Sequence, residues 1–69
     1  MGDIIFAKRN NLKLSQRELA QRCGVTQQFI QRIEKGRAMP SLRVAKKLAA
    51  ALGCTVEELT GDNDQKEGA

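Results

Sequence analysis

The 69-residue chain has no His, Trp or Tyr, two Phe, one Pro and two Cys. Without His, and with Cys23 and Cys54 far apart and outside any CxxC spacing, it has too few ligands for a structural zinc site. The same two cysteines make no disulfide framework and read as small buried hydrophobes of a reducing cytoplasm. No apolar run exceeds the five residues from Leu48 to Leu52, too short for a membrane span or the apolar region of a signal peptide. There is no glycine-rich phosphate loop and no catalytic cluster. The lone Ser, Cys and Glu residues have uses as helix caps or core, so the chain reads as a non-enzyme without a cofactor. With aromatics this scarce, the core must come from Leu, Ile, Val and Ala. A single domain of this size then has modest stability.

What is present is positive charge, unevenly spread. Residues 1–55 carry eleven Lys or Arg against Asp3, Glu18 and Glu34, and residues 56–69 carry Lys66 against five acids. A basic body with an acidic end points to a polyanionic partner.

The stretch from Gln16 to Lys35, QRELAQRCGVTQQFIQRIEK, parses as two short helices joined by a tight turn. Ser15 caps the first, and Glu18 three residues on completes a capping box. Leu14 and Leu19 then occupy the positions of a hydrophobic staple. Thr26 caps the second helix, about 26–35, with Val25 and Ile30 as its staple. Gly24 supplies the left-handed backbone the turn needs. At 100° per residue, Ile30 and Ile33 share one face, while Gln28, Gln31, Arg32 and Lys35 lie opposite. Amides beside cations, with no acid on that arc, suit the edges of bases in the major groove of DNA.

The rest of the chain is also helical, so the expected architecture is all-α. A first helix runs from about Ile4 to Asn10 or Asn11, with Asp3 a possible cap and Ile5 and Leu12 as core residues. Ile4, Ile5, Phe6 and Ala7 are apolar around more than half the wheel, so part of that run is exposed. Ser41 caps a fourth helix that ends at Leu52 before Gly53, with Leu42, Ala45, Leu48, Ala49 and Leu52 facing inward. Thr55 and Glu58 form a second capping box, and Gly61 closes the fifth helix. Residues 1–61 make one domain, and 62–69 form a polar, acidic, flexible tail.

Taken in order, Ser15-Gln16, Leu19-Ala20, Gly24-Val25-Thr26, Ile30, Ile33-Glu34, Pro40-Ser41-Leu42, Leu48-Ala49, Leu52-Gly53 and Glu58-Leu59 resemble the helix-turn-helix of the phage repressor and Cro family, also called the xenobiotic-response-element type. The resemblance spans roughly residues 4 to 60. It implies a compact five-helix domain of the lambda-repressor kind. It also implies that Arg9, late in the first helix, pairs with Glu34. Lys13 departs from the family, which often has Gly there.

The resemblance and the residues together give an expected site. Gln27 and Gln28 are candidates for base contacts, since Gln suits adenine, and Arg32 suits guanine or a phosphate. Gln31 shares their face. Phe29 packs on a thymine methyl or covers the edge of the core. Gln16, at the amino end of its helix, carries over the family's phosphate contact. Thr26, Lys35, Arg37 and Arg43 follow as phosphate-side groups, with Arg17 and Asn11 weaker. The expected partner is double-stranded DNA with a palindromic operator, bound by a homodimer that is weak in solution. Val56, Leu59 and Met39 are the expected dimer surface. The implied function is a cytoplasmic transcriptional regulator, in the first place a repressor. The alternatives are an antitoxin with a toxin partner or a restriction-modification controller, each repressing its own operon, or a helix-turn-helix adapter that binds protein.

Overall fold

The computed structural model describes residues 1–60. Gly61 and the expected tail, 62–69, lie outside the described residues. Among the described residues there are five helices and no strand: α1 Gly2–Asn11, α2 Gln16–Cys23, α3 Gln27–Glu34, α4 Leu42–Leu52 and α5 Val56–Thr60.

The caps at Ser15, Thr26, Ser41 and Thr55 are formed as read from the sequence, and the one at Asp3 is not. Ser15 Oγ accepts from the Glu18 amide at 3.0 Å, and Glu18 Oε1 accepts from the Ser15 amide at 2.8 Å. Thr55 and Glu58 repeat this exchange at 3.1 and 2.8 Å. Thr26 and Ser41 accept from the third residue of α3 and α4, at 3.1 and 3.2 Å. Each satisfies an N–H that the helix itself leaves free. Gly24 ends α2 in the left-handed region at φ 70°, so the chain reverses into α3 after only two further residues.

α1 starts earlier than expected. Met1 is its N-cap and makes no side-chain cap bond. Asp3 therefore lies inside the first turn, where its Oδ1 accepts from the Ile4 amide at 3.0 Å. Gly2, in this first turn, is buried; a Cβ there would lie 2.5 Å from the carbonyl oxygens of both Ile33 and Glu34. Only glycine lets α1 lie this close to the last turn of α3. After α1 the chain turns at Lys13, which is held at φ 58°. That is the conformation for which Gly carries no steric penalty, and it accounts for the family's preference at this position.

Ile5, Leu19, Cys23, Ile30, Ile33, Leu48 and Leu59 are fully buried at the centre, one or two from each helix. α4 packs on α2 and α5, and α1 packs on α3, α4 and α5. Truncating any of these Leu or Ile residues to Ala would cost about 2–5 kcal/mol. Two expected core residues are not in the core: Leu12 is 51% exposed and Leu42 65% exposed. Both stand at helix ends, Leu12 at the C-cap of α1 and Leu42 as the first residue of α4. Helical spacing assigns Leu42 an inward face, and Leu12 follows the first helix as read, but neither reading shows what packs beside a helix end. In the first helix, Phe6 and Ala7 are the exposed part of the apolar run, while Ile4 packs against the core. Cys23 is buried and Cys54 half-buried, and both are free thiols. Burial pushes both thiols up from their usual pKa, which favours the protonated form near neutrality.

Candidate nucleic-acid interface

The two helices of the turn divide their residues between core and solvent as the wheel requires. Ile30 and Ile33 turn inward from α3, while Gln27, Gln28, Gln31, Arg32 and Lys35 are exposed. Thr26 is exposed as well, and its Oγ is occupied only as an acceptor from Phe29 N–H. The hydroxyl proton remains available to an anion. Phe29 is half-buried and packs against the core. It therefore covers the core edge, with part of its ring left at the surface.

The one acid of α3 is withdrawn from that face. Arg9 Nε donates to Glu34 Oε2 at 2.7 Å and Arg9 Nη2 to Glu34 Oε1 at 3.2 Å. The two side chains are only 9% and 5% exposed. Arg9 Nη1 also donates to the Leu14 carbonyl at 2.8 Å, and the Phe6 ring lies over its guanidinium at 5.4 Å. The expected pair is thus formed and buried. A carboxylate that would repel phosphate from the exposed face is neutralised beneath it.

Gln16 is the first residue of α2 and is half-buried. Its Nε2 donates to Glu34 Oε1 at 3.0 Å, which brings the amino end of α2 against the carboxyl end of α3. Nothing in the spacing of Gln16 and Glu34 signals this bond. The resemblance paired Glu34 with Arg9 and placed Gln16 elsewhere in the site.

Asn11, Arg17, Arg37 and Arg43 are all exposed, on α1, α2, the loop after α3 and the first turn of α4. Of the three residues expected at a dimer surface, two are accessible and one is not. Met39 is 75% exposed and Val56 half-buried, but Leu59 is fully buried. Leu59 faces inward from α5 and joins Ile5 and Leu48 in the core cluster, so it has no side-chain surface to offer a second copy. Among the described residues no group of acids, Cys or His could hold a metal ion, and no helix is long and apolar enough to cross a membrane.

Comparison with known proteins shows the family. A family model described as helix-turn-helix matches residues 5–59. An uncharacterized helix-turn-helix transcriptional regulator of Methanothermobacter thermautotrophicus is 51% identical over 53 residues, which is 77% of each chain. The immunity repressor protein of Bacillus phage phi105 is 34% identical over 62 residues, 90% of this chain and 43% of the repressor. The chain thus spans most of the first relative and less than half of the second. Among solved structures, the SinR protein in its complex with SinI superposes with a TM-score of 0.83 at 27% identity, over 94% of this chain and 64% of that one. The chain belongs to the helix-turn-helix family, in its repressor and Cro branch of DNA-binding transcriptional regulators.

Proposed function

We propose that the protein is a sequence-specific repressor that binds a palindromic operator as a dimer. The observation that carries this reading is the split of α3, with Ile30 and Ile33 in the core and Gln27, Gln28, Gln31 and Arg32 free in solvent. These four read base edges in the major groove, with the exposed part of the Phe29 ring available to a thymine methyl. Gln16, Thr26, Lys35, Arg37 and Arg43 hold the phosphates on either side, and Arg17 and Asn11 add weaker contacts. Such contacts set register and orientation without carrying sequence information.

One module of this size reads a few base pairs, so specificity comes from two copies on half-sites about 34 Å apart. Met39 and Val56 supply the surface between copies, and the exposed Leu42, three residues after Met39, extends it. The dimer is weak in solution and tightens on DNA. The name of the phage relative, an immunity repressor, supports repression over activation. The uncovered Gln and Arg set on α3 favours DNA over a protein-adapter role.

Selection from a pool of random duplexes tests this directly. The expected outcome is an enriched inverted repeat bound cooperatively, with affinity that falls steeply with salt. A pool that shows no enrichment and no salt dependence would contradict it.

A further inference from the structure

A buried carboxylate beneath a phosphate-binding face calls for a physical reason. Glu34 is 5% exposed in its side chain and receives three hydrogen bonds, two from Arg9 and one from Gln16. The two Arg9 bonds would suffice to compensate its charge. The third, from Gln16 Nε2 to Oε1 at 3.0 Å, does something different. A carboxamide can be turned end for end, but a carboxylate accepts only from its nitrogen end. The bond therefore fixes which end of the Gln16 amide faces inward. It uses one of the two N–H groups and leaves the second uncommitted. That second N–H stands at the first position of α2, beside backbone N–H groups that the helix leaves free.

From this geometry we infer that Glu34 is a positioning residue for DNA binding, one that orients the Gln16 side chain so that its remaining N–H meets a backbone phosphate. This deepens the proposed DNA-binding reading and rests on it. Arg9 anchors the arrangement from behind, bonded to the Leu14 carbonyl at 2.8 Å as well as to Glu34. The relay runs from the Leu14 carbonyl through Arg9, Glu34 and Gln16 to the phosphate. Because Glu34 also ends α3, the same carboxylate sets the phosphate contact of α2 relative to the reading helix. The contact and the base readout are thereby held in one register.

Two measurements on the full chain test this. The first uses the wild-type protein labelled with ¹⁵N and follows the side-chain amide signals that vanish in Gln16→Ala. In the free protein one Gln16 amide proton exchanges slowly with water and the other at the rate of exposed Gln28. Adding duplex shifts the second proton and leaves the first in place. Two Gln16 protons that both exchange as fast as those of Gln28 would overturn the inference. The second follows affinity for a random-sequence duplex in three backgrounds, wild type, Arg9→Met with Glu34→Gln, and Arg9→Met with Glu34→Leu. The glutamine keeps an acceptor for Gln16 without a buried charge, and the leucine removes it. Adding Gln16→Ala loses about tenfold in the first two backgrounds, as expected for one hydrogen bond to a charged phosphate, and about twofold or less in the third. Equal losses in all three, with wild-type binding intact, overturn the role of Glu34 alone. A wild-type chain that binds no duplex overturns the DNA-binding reading and this role with it.

Discussion

Arg9 and Glu34 stand 25 residues apart in sequence and meet in a two-pronged pair, with Nε 2.7 Å from Oε2 and Nη2 3.2 Å from Oε1. The pair ties α1 to the end of α3 where both side chains are nearly out of solvent. Burial makes its two halves interdependent. Removing Glu34 alone strands the Arg9 cation, at a cost of about 3–5 kcal/mol, whereas an apolar replacement of both is close to neutral. Denaturant melts of Glu34→Ala and of Arg9→Met with Glu34→Leu measure this. Similar losses in both would show that the pair is effectively solvated.

Lys13 and Gly24 share a left-handed backbone, at φ 58° and 70°. A side chain in that region costs roughly 1–2 kcal/mol, part of which glycine gives back through its freedom in the unfolded chain. Lys13→Gly is therefore expected to stabilise the fold by about 0.5–1 kcal/mol, and Gly24→Ala to destabilise it by about 1 kcal/mol. A Cβ on Gly24 would meet nothing within 4 Å, so its cost is purely conformational. Thermal melts that moved in the same direction for both would contradict this account.

Gly2 is a different case, because space rather than backbone angle is short there. A Cβ 2.5 Å from the Ile33 and Glu34 carbonyl oxygens forces α1 away from α3. Gly2→Ala is expected to cost about 1–3 kcal/mol, as for overpacking elsewhere. Chemical denaturation checks it, and an unchanged midpoint would show that the two helices do not approach this closely.

The two capping boxes predict how stability depends on pH. Hydrogen bonds from the Ser15 and Thr55 amides hold the Glu18 and Glu58 carboxyls below their usual pKa. Because the folded-state values are lowered, the unfolded chain takes up protons first as the solution is acidified. The contribution is complete above the ordinary carboxylate pKa, about 4.3, and is lost as pH falls through it towards the depressed folded values. Glu18→Gln with Glu58→Gln retains an acceptor in each box but removes the titration. Melting temperature plotted from pH 6 to 3 should fall less steeply in that variant. An identical slope would place the acid sensitivity elsewhere.

The caps and the turn were legible in the sequence because their chemistry is local. Ser15 with Glu18, Thr26, Ser41, and Thr55 with Glu58 each act across three residues, a distance over which a chain signals its own geometry. The inward and outward faces of α3 were legible for the same reason. Leu12, Leu42 and Leu59 were not, because exposure at a helix end depends on how far the adjacent helices reach. Helical spacing places Leu42 inside, Leu12 reads as a core residue beyond the first helix, and the resemblance places Leu59 on a dimer surface; the packing of α5 against α1 and α4 instead buries Leu59. The close approach at Gly2 and the bond from Gln16 to Glu34 join elements distant in sequence. Only the fold brings them together.

The most direct test of the whole account compares Gln16→Ala with Gln28→Ala on a panel of duplexes that differ from the selected operator one base pair at a time. Gln28→Ala should lose about 1–3 kcal/mol on the operator and cease to discriminate at one position of each half-site. Gln16→Ala should weaken every duplex by the same factor and leave the order of preference unchanged. A uniform loss for Gln28→Ala together with altered preference for Gln16→Ala would contradict the assignment of α3 as the reading helix.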